Sequence, residues 1–368
     1  MYRSGEMVEK LLNGHRLSRE ETSSLYLDAP LGELMALGYE VRRRRHPDNV
    51  VTWMIDRNMN ITNVCVSACK FCNYYRGRKH PDAYITSLEE YREKIAETFS
   101  FGGEQLLLQG GMHPELGLKF YTELFSSLKK IEPRLKLHTL GPPEVVHLAK
   151  MEGLSYHAVL TELRHAGMDS LPGAGAEILV DRVRKLVSPA KCTAVEWLEV
   201  MREAHSMDIL TSATMMFGHV ETPQERIEHL FRIRELQDEK PQGATGFMSF
   251  IPWPFQDEGT TLARLFNIRN SVKAADYIRL IALARLVLDN VAHIQASWLT
   301  VGKEVAQLCL YAGADDLGSI MIEENVVSQA GARFRMSAGE MQQTILEAGF
   351  QPVLRDQGFQ VRDVVPFG

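Results

Sequence analysis

Cysteine is scarce in this 368-residue chain: there are five, an odd number. A disulfide framework of the kind that staples small secreted domains is therefore excluded. No secretory leader is recognised, so a reducing, cytoplasmic setting is expected. Long hydrophobic runs are missing too, since no uninterrupted apolar stretch reaches the roughly 18–20 residues of a membrane span. Neither sign of charge dominates. Lys and Arg number 41 against 47 Asp and Glu, a net charge of −6, which gives no general reason to expect nucleic acid as a partner. Internal repeats, linkers and low-complexity segments are also wanting. What remains is 45% hydrophobic and 24% charged, enough for one large barrel core or two ordinary ones.

Three of the five cysteines, Cys65, Cys69 and Cys72, stand together in CVSACKFC. The spacing C-x3-C-x2-C offers three thiolates, whereas a cubane 4Fe–4S cluster has four irons and is usually held by four cysteines. One iron is left open to bind a small chelating molecule. Radical S-adenosyl-L-methionine (SAM) enzymes use such an iron for the methionine amine and carboxylate, and an aromatic residue such as Phe71 is the usual companion of their pattern. The segment resembles a radical SAM cluster loop. Zinc is the competing metal, but a structural zinc site is closed by four ligands and would have to recruit a histidine such as His80. Cys192 and Cys309 lie far away and read as buried small hydrophobes. A reading of another class is an iron–sulfur electron-transfer protein without SAM chemistry.

From about Trp53 onward, short apolar or β-branched runs alternate with longer amphipathic stretches. Strands are expected over 51–63, 105–109, 135–140, 168–171, 209–216, 245–251, 293–297 and 316–320. The stretches between them read as helices; the one over 87–100 opens with Ser87 and Glu90, a capping box. Eight such units predict an α/β fold, a TIM-type (β/α)8 barrel rather than an open doubly wound sheet. Residues 1–50 form a helical preface and 323–368 a C-terminal helical extension to a barrel over 51–322. Helices are expected over 322–328 and 337–349, then a short extended tail from 351. The basic run from Arg42 to Arg45 reads as a solvated helix end, or as a docking patch for an acidic electron donor.

Barrel active sites lie on the loops after the C-terminal ends of the strands, and the cysteines follow the first strand. Gly102-Gly103-Glu104 imitates a SAM-binding Gly-Gly-Glu stretch but precedes its strand, so the SAM contact is assigned to Gln109, Gly110 and Gly111 behind it. His113 and Glu115 are weaker candidates. His138 ends the third strand and either acts on substrate or is a hydrogen-bonded structural residue. After the fourth strand, Glu177 offers oxygens to ribose hydroxyls, and Arg184 offers a fork to the SAM carboxylate; the alternative is a helix-start acid and a surface arginine. Trp253 and Phe255, in a run stiffened by Pro252 and Pro254, suit an aromatic substrate or an aromatic barrel cap. Met216 and His219 follow the fifth strand as pocket lining.

Taken together, CVSACKFC, QGGMHPE, PGAGAEIL, MMFGHVET, FIPWPFQ and GSIMIEENVVS resemble the cyclic dehypoxanthinyl futalosine synthases, radical SAM enzymes of the futalosine route to menaquinone. The resemblance runs from about Gly14 to Gly349, and aminofutalosine synthase and the deazaflavin-forming radical SAM enzymes are its near relatives. It implies a 4Fe–4S cluster and SAM as cofactors, dehypoxanthine futalosine as substrate, and a low-potential electron donor such as flavodoxin or ferredoxin. It implies a 5'-deoxyadenosyl radical that abstracts the ribose C4' hydrogen, attack of the sugar radical on the benzoate ring, and loss of an electron and a proton to a base among His138, Glu177 and His219. One departure is local: Asn73-Tyr74-Tyr75-Arg76 stands where the family has Ala-Phe-Tyr-Arg.

Overall fold

The computed structural model describes residues 4–363; the first three residues of the preface and the last five of the C-terminal tail lie outside the described residues. Helices Ser4–Leu12, Arg19–Asp28 and Leu31–Arg45 come first. The strands that follow are β1 (Val50–Met54), β2 (Asp56–Asn60), β3 (Gln105–Gln109), β4 (Lys136–Thr139) and β5 (Ser170–Leu171). They continue with β6 (Leu210–Phe217), β7 (Phe247–Pro254), β8 (His293–Ile294), β9 (Asp316–Ser319) and β10 (Gln351–Leu354).

Strands β2 to β8 make one parallel sheet in chain order. At least one helix fills each crossover, among them Leu88–Ser100, Leu118–Ile131, Pro142–Glu152, Ala194–Ser206, Pro223–Glu239 and Ala274–Val287. Chain-order pairing with helical crossovers is barrel winding. The eighth unit is β9, which touches the β8 side at the bridge Gln295–Asp316 and pairs with β1. The chain beyond it closes the seam against β2: Ile322 N donates to Asp56 O, and Asn58 N donates to Glu323 O. The expected α/β barrel with its helical preface and C-terminal extension is thus present. Ser87 and Ser337 cap their helices as the sequence indicates, each accepting from the backbone N–H of the glutamate three residues on.

Local details differ from expectation. The first predicted strand is two: β1 leaves the barrel to pair with β9 and β10, and β2 enters it after Ile55. The helix expected over 322–328 does not form. Instead residues 322–323 run along β2, and the Glu324 carboxylate accepts from the N–H groups of Val326, Val327 and Ser328 in a tight turn. Gly302, at φ +84°, divides Trp298–Val301 from Lys303–Leu310 where one helix was expected. The basic run is solvated only in part: Arg43 and Arg44 are exposed and pair with Glu40. Arg42 is buried, donates to Ala314 O and Val50 O and lies over the Phe350 ring, while Arg45 reaches carbonyls of 288–291. Among the described residues no helix is long and apolar enough to cross a membrane.

Candidate active site

The C-terminal end of β2 delivers the chain directly into the cysteine loop, and Cys65, Cys69 and Cys72 all line a cavity of about 380 Å³ inside the barrel mouth. That volume is in the range of small-molecule sites. The loop is held by its backbone: Cys65 N donates to Arg76 O, Val66 N to Met112 O and Lys70 N to Val187 O. Ala68 adopts φ +45°, which turns the chain between the first two cysteines. The sulfurs meet donors: Ser67 N and Met112 N each lie 3.4 Å from Cys65 Sγ, and the Ser67 hydroxyl lies 3.0 Å from Cys69 Sγ. Such contacts favour thiolate over thiol and tune a cluster's potential. Burial otherwise pushes the Cys69 thiol up to about 12, so its ionisation needs a bound cation or nearby positive charge.

Zinc is a poor fit. Bonds of about 2.3 Å would bring three sulfurs within roughly 4 Å of one another, yet the cysteines are absent from the groups of described residues whose ligand atoms gather that closely. His80 is exposed and takes its contacts from Asp82. The departure at Asn73 has a structural use: its amide donates to Glu258 O at 2.7 Å and Gln329 O at 3.0 Å, tying the loop to the chain beyond β7. Arg76, which with Tyr75 matches the expected pattern, folds back onto the carbonyls of 73–75.

Gln109, Gly110 and Gly111 follow β3 and line the same cavity. A Cβ on Gly111 would sit 2.1 Å from Val64 O and 2.9 Å from Cys65 Cβ, and one on Gly110 3.0 Å from Thr62 O. The glycines therefore let the β3 loop press against the cysteine loop, which no side chain permits. Gly102-Gly103-Glu104 lies at the opposite end of β3, where Glu104 pairs with Arg362. His113 and Glu115 stay outside the cavity lining.

Glu177 is there, in a left-handed backbone conformation at φ +42°. Its Oε1 accepts from Lys191 Nζ at 2.7 Å, and its Oε2 is buried without a hydrogen bond. Burial alone would raise its pKa, but Lys191 and Arg184 outweigh that and keep it below the ordinary value. Lys191, over the Phe71 ring at 5.3 Å from its centroid, was not expected. It follows a loop with no recognisable motif, and only its place beside Glu177 and Cys69 reveals it. Glu144, in the first turn after β4, was also missed; burial raises its carboxyl to about 7.

Two expected residues are elsewhere. Arg184 does not face the cavity: its guanidinium is buried and donates to the carbonyls of Gly175, Ala176 and Cys192, so it braces the loop that carries Glu177. His219 is sealed off, its Nε2 3.0 Å from Met216 O and its Nδ1 accepting from Val220 N beside Glu221. His138 does line the cavity, with Nδ1 2.7 Å from the Ser170 hydroxyl. Burial, with Arg355 adding to it, lowers its pKa to about 3 and leaves the ring neutral.

Across from the cysteines, Met216 and Trp253 are partners in the β6–β7 register, and with Phe255 they give the wall an apolar, flat surface. The opposite wall is polar. Asp56, Asn58 and Asn60 of β2 all line the cavity; they were not singled out in the sequence, and they stand on a strand whose five residues are all buried.

The family model of the Radical SAM superfamily matches residues 59–233, and that of the CofH/MqnC C-terminal region matches residues 244–367. A cyclic dehypoxanthine futalosine synthase of Streptomyces coelicolor is 45% identical over 95% of this chain and 86% of its own length. Its counterpart in Halalkalibacterium halodurans is 38% identical over 96% of this chain and 94% of its own. Among solved structures, methylornithine synthase (PylB) superposes with a TM-score of 0.71 at 19% identity, covering 95% of this chain and 98% of that one, a likeness of fold.

Proposed function

Because the chain belongs to the radical SAM superfamily, in the family that includes the cyclic dehypoxanthine futalosine synthases, we propose that it cyclises dehypoxanthine futalosine in menaquinone biosynthesis. One observation supports this most: three cysteines able to hold a cluster and the aromatic pair Trp253 and Phe255 line a single cavity. The donor set fits the superfamily's 4Fe–4S cluster and SAM, with three thiolates, N–H groups aimed at Cys65 Sγ and a Glu177 carboxylate oxygen that makes no hydrogen bond and has only Arg184, 3.5 Å away, as an ion-pair partner. When bound, cluster and SAM would supply hydrogen-atom abstraction at the ribose C4' of the substrate through a 5'-deoxyadenosyl radical, the chemistry that would let the sugar carbon bond to the benzoate ring.

The residues of the chain bind and orient. Gly110 and Gly111 bring the β3 backbone close to the methionine end of SAM, with Gln109 and Phe71 beside it. Glu177 accepts from ribose hydroxyls, and Lys191 replaces Arg184 as the cation facing the SAM carboxylate. Trp253, Phe255 and Met216 flank the aromatic ring, holding it against the sugar and excluding water. Restoring aromaticity removes one electron, for which the oxidised cluster or an external one-electron acceptor would serve, and one proton, which needs a base. Of the groups lining the cavity, Glu144 has the affinity best matched to neutral pH; Glu177 is tied to Lys191, and His138 is too weak a base.

The proposal extends to a flavodoxin- or ferredoxin-type electron donor, a cytoplasmic location and no nucleic-acid or membrane partner. It keeps 1–50, 51–322 and 323–368 as preface, catalytic barrel and extension. The test is an anaerobic assay of the reconstituted protein with SAM, reductant and dehypoxanthine futalosine. The expected result is 5'-deoxyadenosine together with a product two hydrogens lighter than the substrate. Deoxyadenosine without that product would mean another substrate, and an adenosyl-containing product would favour the aminofutalosine synthase reading.

A further inference from the structure

Strand β2 reads Asp56-Arg57-Asn58-Met59-Asn60, and a strand sends alternate side chains to opposite faces. Arg57 points outward to Thr98, Glu97 and Glu323. Asp56, Asn58 and Asn60 point inward and form a polar ladder descending from the cysteine loop into the barrel. Asn58 and Asn60 are each only 4% exposed. Both amide atoms of Asn60 and the carbonyl oxygen of Asn58 have no hydrogen-bond partner in the protein. Buried amides are nearly always paired, so atoms left open on a cavity wall point to a ligand that completes them.

The charge around the ladder says which part of a ligand fits. The cavity lining holds two cations, Lys191 and Arg355. Lys191 is bound to Glu177 at 2.7 Å, and Arg355 makes a fork with Asp316 at 2.6 and 2.9 Å. The foot of the ladder is a carboxyl group, Asp56, with one oxygen unpartnered. At the ladder itself the open atoms are amide donors and acceptors above a carboxyl group, which suits hydroxyl groups and not a carboxylate. Two inward residues on one strand stand roughly 6.6 Å apart, a span that lets two amides hold hydroxyls on one five-membered sugar ring.

We propose that Asn58 and Asn60 form the subsite for the uncharged, hydroxyl-bearing sugar end of the substrate, holding it beneath the cysteine loop. The carboxylate-bearing ring then lies toward Trp253 and Phe255. This rests on the proposed function and sets the direction in which the substrate enters. An amide matches a hydroxyl pair because it donates and accepts in one plane.

The test is calorimetric titration of the reconstituted, SAM-loaded, unreduced protein with dehypoxanthine futalosine, with SAM affinity measured separately. Asn60→Ala is expected to weaken futalosine binding by roughly 10- to 100-fold and Asn58→Ala by roughly 5- to 10-fold, typical of lost hydrogen bonds to buried amides. SAM affinity is expected to stay within about twofold, because the SAM contacts are assigned to other residues, Gln109 to Gly111, Glu177 and Lys191. If Asn60→Ala does not fold, Asn60→Ser and Asn58→Ala carry the same test. Parental futalosine affinity in the variants overturns the subsite and leaves the function standing. An equal fall in SAM and futalosine affinity also overturns it, as a purely structural effect. A parent protein that does not bind dehypoxanthine futalosine removes the functional reading and the subsite with it.

Discussion

Lys191 donates to Glu177 at 2.7 Å inside the barrel mouth, and the ammonium also lies against the Phe71 ring of the cysteine loop. Burial alone would lower the lysine's pKa, but Cys69 and Glu177 reverse the shift and hold it charged. A buried ion pair is thus placed where a zwitterionic methionine end and a thiolate-bound cluster would meet. Glu177 keeps one oxygen free of hydrogen bonds, with Arg184 3.5 Å away, so the carboxylate has hydrogen-bonding capacity left for a ligand.

Removing one member of such a pair strands the other charge. Lys191→Met is expected to lower the free energy of unfolding by about 3 kcal/mol. Adding Glu177→Gln should recover most of that loss, because an uncharged amide is cheaper to bury than a lone carboxylate. Urea unfolding of the two variants without cluster or SAM checks this; equal stability of single and double variants would contradict it.

Gly111→Ala should damage the cluster site selectively. Its Cβ would collide with Val64 O and Cys65 Cβ, so the cysteine loop must move while the barrel core is untouched. Iron bound per chain after anaerobic reconstitution is expected to fall severalfold, with far-ultraviolet circular dichroism unchanged. Full iron loading would show that the contact is not needed.

Acid should unfold the protein through its buried histidines. Burial lowers His138 and His229 to about 3 and His205 to about 4, from an ordinary value near 6.5. The folded form therefore refuses protons that the unfolded chain binds below pH 6.5. Stability is fully present above that pH and is lost as pH falls toward 4, by up to roughly 1.4 kcal/mol per pH unit for each histidine. His229→Gln should flatten the dependence of unfolding free energy on pH between 6.5 and 4; an unchanged slope would count against this cause.

Glu144, raised to about 7 by burial, should leave its mark on turnover. The rate is expected to rise with pH through an apparent pKa close to 7, as the carboxylate becomes able to accept a proton. In Glu144→Gln that limb should vanish and turnover should drop by roughly 100-fold or more. A parental pH profile in the variant would assign the proton to another group.

The barrel and the cysteine site were legible because both rest on short-range patterns. Alternating strand and helix periodicity predicts the winding, and C-x3-C-x2-C with Phe71 marks the metal loop. Gly110 and Gly111 could be separated from the Gly102-Gly103-Glu104 decoy by their side of the strand alone. Arg184, on the helix Asp181–Val187, and His219, two residues after β6, were misplaced because an arginine or histidine beyond a strand looks the same whether it faces the mouth or braces a loop. Only the carbonyls around Arg184 and the Met216 and Val220 contacts of His219 decide that. Lys191 was invisible for the converse reason: it reaches Glu177 across 14 residues through tertiary packing, with no local signature. The failed helix over 322–328 has a local cause, the competition of the Glu324 side chain for the backbone N–H groups a helix would need.

The central claim is that the sugar of dehypoxanthine futalosine gives up its C4' hydrogen within this cavity. Turnover of substrate deuterated at C4', under anaerobic conditions with SAM and reductant, tests it most directly. The account predicts 5'-deoxyadenosine one mass unit heavier, formed in step with cyclised product. Unlabelled deoxyadenosine accompanying cyclised product, or adenosyl carbon retained in the product, would contradict it.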